Sequence, residues 1–218
     1  MAKHQRGQAR REQILSAADR LFRRQGYAAT SMRQIAAEAG FGSAVSGLYN
    51  HFPSKEAIFE ALLISRSPYE ELLDALEQVA GEDFEALLRS WFHAIWPIME
   101  THQDFLPLVF IELQEFEGRT LGRFLGRFLP RYFGLFSRIA AMPGVRRDLP
   151  LPVIVRAVAS LMVGYMLTEI VARRALSDQV PIPLAVGEEW LDGLVSILAR
   201  GMSELPALPP TPQEQQDE

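Results

Sequence analysis

The stretch GFGSAVSGLYNHFPSKEAIF, residues 40–59, changes character halfway along its length. Its first half is small and flexible, with glycine, serine and alanine around a single valine. Its second half is aromatic and ends at Pro53, after which Ser54 and Glu56 supply the N-cap and the first-turn acid of a new helix. We predict a short helix over residues 43–51, closed by the proline. Its small side chains would let this edge of the chain approach another molecule closely.

Two further helices are predicted immediately before this stretch. REQILSAADRLFRRQGY places its apolar residues on one helical face, with arginine and glutamine opposite and Gly26 as the stop. TSMRQIAAEAG begins a second helix, because Ser31 and Gln34 have the spacing of a capping box, and Gly40 ends it. Three short helices joined by tight glycine-bearing turns are typical of a helix-turn-helix.

The composition of the third helix suits a recognition helix. Such a helix lies in the major groove of DNA with its N-terminal residues against base edges and phosphates. FGSAVSG would let the backbone come close, and its hydroxyl and amide groups could bind phosphate oxygens. Tyr49, Asn50 and His51 then supply polar tips, while Leu48 and Phe52 are predicted to turn inward.

The charge distribution agrees with a DNA-binding N-terminal region. Residues 1–60 hold nine Lys and Arg against five acids, a net charge of +4, whereas the remaining 158 residues carry −9. A basic head on an acidic body indicates that only the head meets a polyanion.

Helical periodicity continues through the rest of the chain, so we predict an all-α fold with an N-terminal three-helix domain and a C-terminal helical domain. The predicted domains are residues 1–53, with a basic arm; 54–203, with a linking helix over 54–79; and a disordered tail over 204–218. The later helices are predicted at 83–100, 104–117, 119–141, 150–176 and 186–202. Breaks are expected at Gly81, Pro97, Pro107 and Gly118, among others.

Composition excludes several classes of function. The 218 residues contain no cysteine, which removes disulfides, thiolate metal sites and a cysteine nucleophile, and the four histidines have no metal-ligand spacing. The longest apolar run, residues 157–168, is shorter than the roughly 18 residues of a membrane span. No nucleophile–base pair or phosphate loop is recognisable. We therefore expect a cytoplasmic protein that is not an enzyme and has no metal, no cofactor and no membrane partner.

Residues 10–60 resemble the DNA-binding domain of TetR-type transcriptional repressors. The resemblance lies in ILSAADRLFRRQGYAATSMRQIAAEAG followed by LYNHFPSKEAIF, with the motifs Gly-Tyr-x-x-Thr-Ser, Ile-Ala-x-x-Ala-Gly and Leu-Tyr-x-x-Phe-x-x-Lys-Glu in order. It implies a homodimer that binds a palindromic operator on double-stranded DNA and senses a small-molecule effector with its body. It also implies a repressor, and the aromatic body leads to the hypothesis that this repressor leaves the operator when a largely apolar effector binds.

The resemblance assigns DNA contacts by position. Tyr49 and His51 are expected at phosphates, and Lys55 is expected as a cation at the DNA backbone at the start of the fourth helix. Further DNA contacts are expected at the start of the second helix, from Ser31 and Arg33. The expected groove residues are Ser43, Ala44, Ser46, Gly47 and Asn50. Seven residues separate Ala-Gly from Leu-Tyr, two more than the family pattern has, and this offset rotates a helix position by about 200°. Which of these residues reads bases therefore stays open.

The body carries candidate effector and dimer residues. Effector pockets are mostly apolar, and the dense aromatic segment over residues 84–116 predicts a pocket formed by Trp91, Phe92, Trp96, Phe105, Phe110 and Phe116. A second segment, RTLGRFLGRFLPRYFGLFSR, repeats arginine and aromatic residues every four positions. It suits a core-facing aromatic stripe with arginines along the surface, a membrane or nucleic-acid surface, or an arginine that meets an anionic ligand.

Small residues at helical spacing predict the dimer interface. Ala157, Ser160 and Gly164 would let two helices pack closely, and with Trp190, Leu194 and Ile197 of the last helix they resemble the family's two-fold four-helix bundle. The competing interpretation of these positions is packing within one chain. The competing function is an all-helical small-molecule-binding or catalytic protein whose N-terminal helices serve assembly.

Overall fold

The computed structural model describes residues 2–42, 45–143, 145–171 and 188–202. Those ranges form eleven helices: α1 (Ala2–Gln25), α2 (Met32–Glu38), α3 (Ser46–Tyr49), α4 (Lys55–Arg66), α5 (Tyr69–Gln78), α6 (Phe84–Thr101), α7 (Phe105–Phe116), α8 (Arg119–Gly126), α9 (Leu129–Ala141), α10 (Leu151–Val171) and α11 (Glu188–Met202). The prediction of an all-α fold is confirmed. The predicted tail over 204–218 lies outside the described residues.

The chain divides into two compact units. The first comprises Met1–Glu71 and Ile98–Pro130, and the second Leu72–Pro97 and Arg131–Glu218. The first unit extends past residue 53, because α4 packs against α1 and against α7. The functional boundary at residue 53 stays a prediction.

The core of the first unit forms where the predicted apolar face of α1 meets α4. Ile14, Leu15, Ala18, Leu21 and Phe22 are all buried, as predicted. The same cluster includes four fully buried residues of α4 and reaches α7; the α4 residues are Ile58, Phe59, Leu62 and Leu63. Burial of each such side chain stabilises the fold by about 1.5–3 kcal/mol, so this core holds the three N-terminal helices against α4.

The second unit is built around α6, whose buried face contributes Leu87, Leu88, Trp91 and Ile95. Arginines of α9 fix the C-terminal end of α5. The Arg131 guanidinium lies 2.6 Å from Asp74 and 2.7 Å from Glu77, and the Arg138 guanidinium donates to the carbonyl oxygens of Glu77 and Val79. The arginines of the repeated segment that lie in this unit thus bind α5, which agrees with the surface-arginine interpretation.

Several predicted boundaries are wrong. The linking helix over 54–79 is two helices, because Ser67 precedes Pro68 and adopts an extended conformation, as residues before proline do. The helix over 119–141 divides into α8 and α9. Pro97 does not break α6, which continues to Thr101. Pro97 has no N–H group, so the carbonyl of His93, four residues earlier, loses its partner within the helix. Both residues are exposed, so water can hydrate that carbonyl.

The N-terminal segment, which the sequence predicts to be a basic arm, is helical from Ala2. α1 begins at Ala2, and among the side chains that the structure describes, from Gln5 onward, the first buried one is Ile14. Alanine, glutamine and arginine dominate this segment and have high helix propensity. Residues beyond Val171 in the predicted 150–176 helix lie outside the described residues.

No helix within the described ranges combines the length and hydropathy that a membrane span requires. α10 is the longest strongly apolar helix, and its apolar residues are distributed around its whole circumference.

The turn from α7 to α8 depends on Glu112. Its side chain is 0% exposed, and its Oε1 accepts hydrogen bonds from the backbone N–H groups of Thr120 (2.6 Å) and Leu121 (3.2 Å). Its backbone oxygen accepts from Gly118 N–H at 3.3 Å. Glu117 and Gly118, which form this turn, have φ values of 56° and 76° respectively, both in the left-handed region. Glu112 therefore caps the N-terminus of α8 from inside the core.

Replacing Glu112 with alanine should lower the free energy of unfolding by about 2–4 kcal/mol, since it leaves two N–H groups without an acceptor. Glu112→Gln keeps Oε1 as the acceptor and should lie within about 1 kcal/mol of the parent protein. Urea unfolding followed by circular dichroism measures both variants. Equal midpoints for alanine and glutamine would show that the capping bonds contribute nothing.

Candidate nucleic-acid interface

The helix α2 begins as predicted. Ser31 Oγ accepts a hydrogen bond from Gln34 N–H at 3.3 Å, and Gln34 Oε1 accepts from Ser31 N–H at 2.8 Å, so the capping box is formed. Ser31 is exposed but its hydroxyl is already used for the cap. Arg33, in the first turn, is exposed and has no ion pair with the described residues. It can therefore extend toward an external anion.

The turn between α2 and α3 is tight and glycine-dependent. Gly40 and Gly42 have φ of 77° and 62°, a conformation that other residues rarely adopt. A Cβ at Gly47 would lie 2.7 Å from Cδ1 of Phe41, which explains a glycine in the first turn of α3. Phe41 thus sets how closely α3 approaches the turn. Ser43 and Ala44 lie outside the described residues.

α3 presents its polar side chains outward. Leu48 and Phe52 are buried, which confirms their predicted inward orientation. Ser46 and Asn50 are exposed, and the Tyr49 side chain is 53% exposed although it is large and aromatic. His51 is half-buried, with its ring centroid 6.3 Å from that of Phe41. A short helix fixed by two buried anchors therefore exposes small and polar groups on one side.

Lys55 has an internal role that sequence reasoning missed. Its ammonium donates to the carbonyl oxygens of Tyr27 and Thr30, each at 2.9 Å, and lies 4.0 Å from the centroid of the Tyr27 ring. Burial, and secondarily the nearby Glu56 carboxylate, raise the pKa of Tyr27, so the phenol stays neutral. Lys55 joins α4 to the loop before α2. At most one N–H of its ammonium remains for a phosphate.

The second unit contains an apolar cavity of about 150 Å³. It is lined by side chains of α5, α6, α9 and α10, namely Leu76, Phe84, Trp91, Ile95, Tyr132, Leu135, Phe136, Ile139, Ile154, Val155, Val158 and Ala159. The indole N–H of Trp91 donates to Leu76 O at 3.1 Å, so that donor is already satisfied. The volume resembles that of cavities that bind benzene-sized molecules.

The structure distributes the six predicted effector residues over both units. Trp91, Phe92 and Trp96 belong to the second unit, and of the six only Trp91 lines the cavity. Phe105, Phe110 and Phe116 belong to the first unit, where Phe116 stacks on Phe59 at 4.9 Å and Phe110 is half-exposed. Sequence reasoning missed the contribution of α9 and α10. The four-residue spacing of Tyr132 and Phe136 in the repeated segment was the available signal.

The predicted dimer residues have open surroundings within one chain. On α10, Ala157 and Gly164 are half-buried and Ser160 is exposed. Val163 is 47% exposed, and on α11 Ile197 is 69% exposed while Leu194 is half-buried. The side chain of Trp190 lies outside the described residues. A strongly apolar helix with exposed valines is typical of a surface that another chain covers.

Comparison with known proteins identifies a family for the N-terminal helices. Residues 14–62 match the family described as bacterial regulatory proteins, tetR family. The HTH-type regulator YerO of Bacillus subtilis (strain 168), itself described as uncharacterized, is 31% identical over 109 residues, 47% of this chain. The match covers 36% of YerO, so this chain spans about a third of the length of that curated relative.

Solved structures share the fold along nearly the whole chain. A TetR family transcription regulator from Marinobacter aquaeolei VT8 has a TM-score of 0.61 and 17% identity, covering 93% of this chain and 100% of its own. NalD of Pseudomonas aeruginosa, the secondary repressor of the MexAB-OprM multidrug efflux pump, has a TM-score of 0.60 and 21% identity, covering 90% and 98%. At these identities the likeness establishes the fold alone.

Proposed function

We propose that this chain, a member of the tetR family of bacterial regulatory proteins, is a homodimeric repressor that leaves a palindromic operator when a small apolar effector binds its second unit. The observation that carries the proposal is the outward polar edge of α3, anchored by the buried Leu48 and Phe52. An edge of this kind has no role in the core and suits the major groove. The protein would act where chromosomal DNA lies, in the cytoplasm.

The DNA contacts proposed from the sequence fall into two groups in light of the geometry. Arg33, Ser46, Tyr49 and Asn50 are exposed and suit direct contacts with the duplex. The second group also has structural roles. Ser31 caps α2, and Gly47 leaves room for the ring of Phe41. His51 contacts that ring, and Lys55 donates a hydrogen bond to the carbonyl oxygen of Tyr27. We therefore expect the first group to contribute most of the affinity that side chains provide.

The open side of α10, together with the exposed Ile197 of α11, supports the proposal of a homodimer. Ala157, Ser160 and Gly164 lie along one side of α10, and among the described residues no atom lies within 4 Å of a Cβ built on Gly164. A second copy can approach such a face closely, as in a four-helix bundle across a two-fold axis. The dimer would space its two heads for half-sites one helical turn apart, about 34–36 Å.

The cavity supports the proposal of an apolar effector. Its lining carries no charged side chain, so a charged ligand would lose its hydration without compensation. About 150 Å³ suits a ligand of roughly the size of a substituted benzene. Effector binding would lower operator affinity through a coupling free energy of typically 1–3 kcal/mol.

Selection from a random duplex library tests the proposal directly. Several rounds of capture by the full chain should enrich an inverted repeat whose two halves have their centres about 10 base pairs apart. Enrichment of a single asymmetric site would contradict the proposal of a palindromic operator. Failure to enrich any sequence would remove the proposed function as a whole.

A further inference from the structure

The lining of the apolar cavity in the second unit divides into a buried floor and a partly exposed mouth. The floor consists of the buried lining side chains, namely Phe84, Trp91, Ile95, Leu135, Ile139 and Ile154. The mouth consists of the half-buried lining side chains of α9 and α10 together with one exposed residue; these are Tyr132, Phe136, Val155, Val158 and the exposed Ala159. Because a closed cavity would bury its whole lining, the exposure of Ala159 indicates that this cavity opens to the surface along α10.

The α9 side of the mouth consists of aromatic rings. The rings of Tyr132 and Phe136 stack with their centroids 6.2 Å apart. The ring of Phe133, which is 65% exposed, has its centroid 6.4 Å from that of Phe136. The apolar wall therefore continues from the cavity to the surface of the unit. A ligand longer than the cavity of about 150 Å³ can keep apolar contacts as it extends outward.

α10 carries a cation next to the mouth. Arg156 precedes the exposed Ala159 by three residues, so the two positions are neighbours on the surface of the helix. Arg156 is exposed and has no ion pair with the described residues. Arg131 and Arg138 of α9 are instead held by α5. Arg156 is therefore free to bind an anion that lies outside the mouth.

The floor and Arg156 favour different parts of a ligand. The floor has no charged side chain, so a carboxylate inside the cavity would lose its hydration without compensation. An exposed guanidinium can bind a carboxylate through two parallel hydrogen bonds while both groups stay partly hydrated. The arrangement therefore suits a ligand with an apolar body at one end and an anionic head at the other.

We propose that the effector of this chain is an amphiphile whose apolar body fills the cavity and whose anionic head lies outside the mouth, where Arg156 binds it. The inference rests on the proposed function and deepens it, because it assigns a head group to the effector of that cavity. A neutral hydrocarbon such as toluene uses the floor alone. Benzoate is too short, since its carboxylate would follow the ring into the apolar lining.

Isothermal titration calorimetry of the full chain with two ligands of matched length tests the inference. Phenylbutyrate ends in a carboxylate, whereas phenylbutanol ends in a neutral hydroxyl group. The probe variant is Arg156→Gln, and Arg156→Lys keeps the charge. The matched control is Arg147→Gln, at another exposed arginine of the second unit that has no ion pair with the described residues. Val158→Phe, which fills the cavity, shows whether the two ligands occupy it.

The parent protein and Arg147→Gln should each bind phenylbutyrate about fivefold more tightly than Arg156→Gln does, the factor that an exposed ion pair can contribute. Arg156→Lys should lie between them. Phenylbutanol should bind these four proteins equally. Added salt should weaken the binding of phenylbutyrate to the parent protein and leave that of phenylbutanol unchanged, because only the charged pair is screened. Val158→Phe should bind neither ligand.

The remaining outcomes would each contradict a different part of the account. An Arg156→Gln protein that binds phenylbutyrate as tightly as the parent would overturn the anionic head and leave the proposed function intact. A monomeric Arg156→Gln protein in light scattering would place Arg156 in the dimer interface and would also overturn it. A parent protein that binds toluene but neither longer ligand would show that the mouth is closed, with the same consequence. A parent protein that binds none of the three would overturn the proposed apolar effector instead.

Discussion

Replacing Ile197 with arginine should produce a folded monomer whose affinity for the operator is at least about 100-fold lower than that of the parent protein. Ile197 is 69% exposed within one chain, so the change should alter the stability of the monomer by less than about 0.5 kcal/mol. Across a two-fold interface, however, it places unpaired charges in an apolar surface. Each head would then bind its half-site alone and lose the contribution of its partner.

Light scattering measures the mass of the Ile197→Arg protein, and fluorescence anisotropy measures its affinity for the selected operator. The matched control is Leu113→Arg on α7. Leu113 is another exposed aliphatic side chain, 54% exposed, and it lies in the first unit. The control should remain a dimer and bind normally. A dimeric Ile197→Arg protein with unchanged operator affinity would place the dimer interface elsewhere.

Replacing Val158 with phenylalanine should abolish the response to a small apolar effector while preserving operator binding. Val158 lines the cavity of about 150 Å³, and an added ring would occupy most of that space. Toluene at about ten times its dissociation constant should stabilise the parent protein by roughly 1.4 kcal/mol, or about 3–6 °C in melting temperature. The filled variant should show neither this shift nor release from DNA.

Two controls accompany the cavity variant. Val158→Ile adds one methyl group and should keep most of the toluene response, because the cavity stays open. Benzoate should fail to stabilise the parent protein, since the lining offers no cation for a carboxylate. A Val158→Phe protein that still responds fully to toluene would show that the effector binds outside this cavity.

The N-terminal domain could be predicted from sequence because its signals are local. The capping box of Ser31 and Gln34 and the apolar face of α1 each follow from a few neighbouring residues. The inward orientation of Leu48 and Phe52 follows from their place between a glycine-rich turn and a proline. All of these are confirmed by the structure.

The apolar cavity of the second unit could not be predicted in the same way, because it depends on which distant segments meet. Aromatic density led to a pocket over residues 84–116, but only Trp91 of the six chosen residues lines the cavity. The other lining residues include Tyr132 on α9 and Val158 on α10. The spacing of Tyr132 and Phe136 indicates an aromatic stripe, but nothing local indicates that this stripe meets α6. Such contacts are decided by packing between helices.

Lys55 illustrates a limit of a different kind. A lysine at the start of a helix beside a DNA-binding motif suggests a phosphate contact, yet its ammonium is held by two carbonyl oxygens and the Tyr27 ring. Those carbonyls lie in the segment between α1 and α2, which turns at Gly26 with φ of 84°. The sequence reveals the charge but not the internal acceptors.

We propose that two basic heads, brought together in a dimer formed through α10 and α11, bind one duplex. Light scattering of the complex between the full chain and the selected operator, at increasing salt, tests it most directly. We expect two chains per duplex and an affinity that falls steeply as salt rises, with at least about tenfold loss between 50 and 200 mM. One chain per duplex, or an affinity indifferent to salt, would contradict the account.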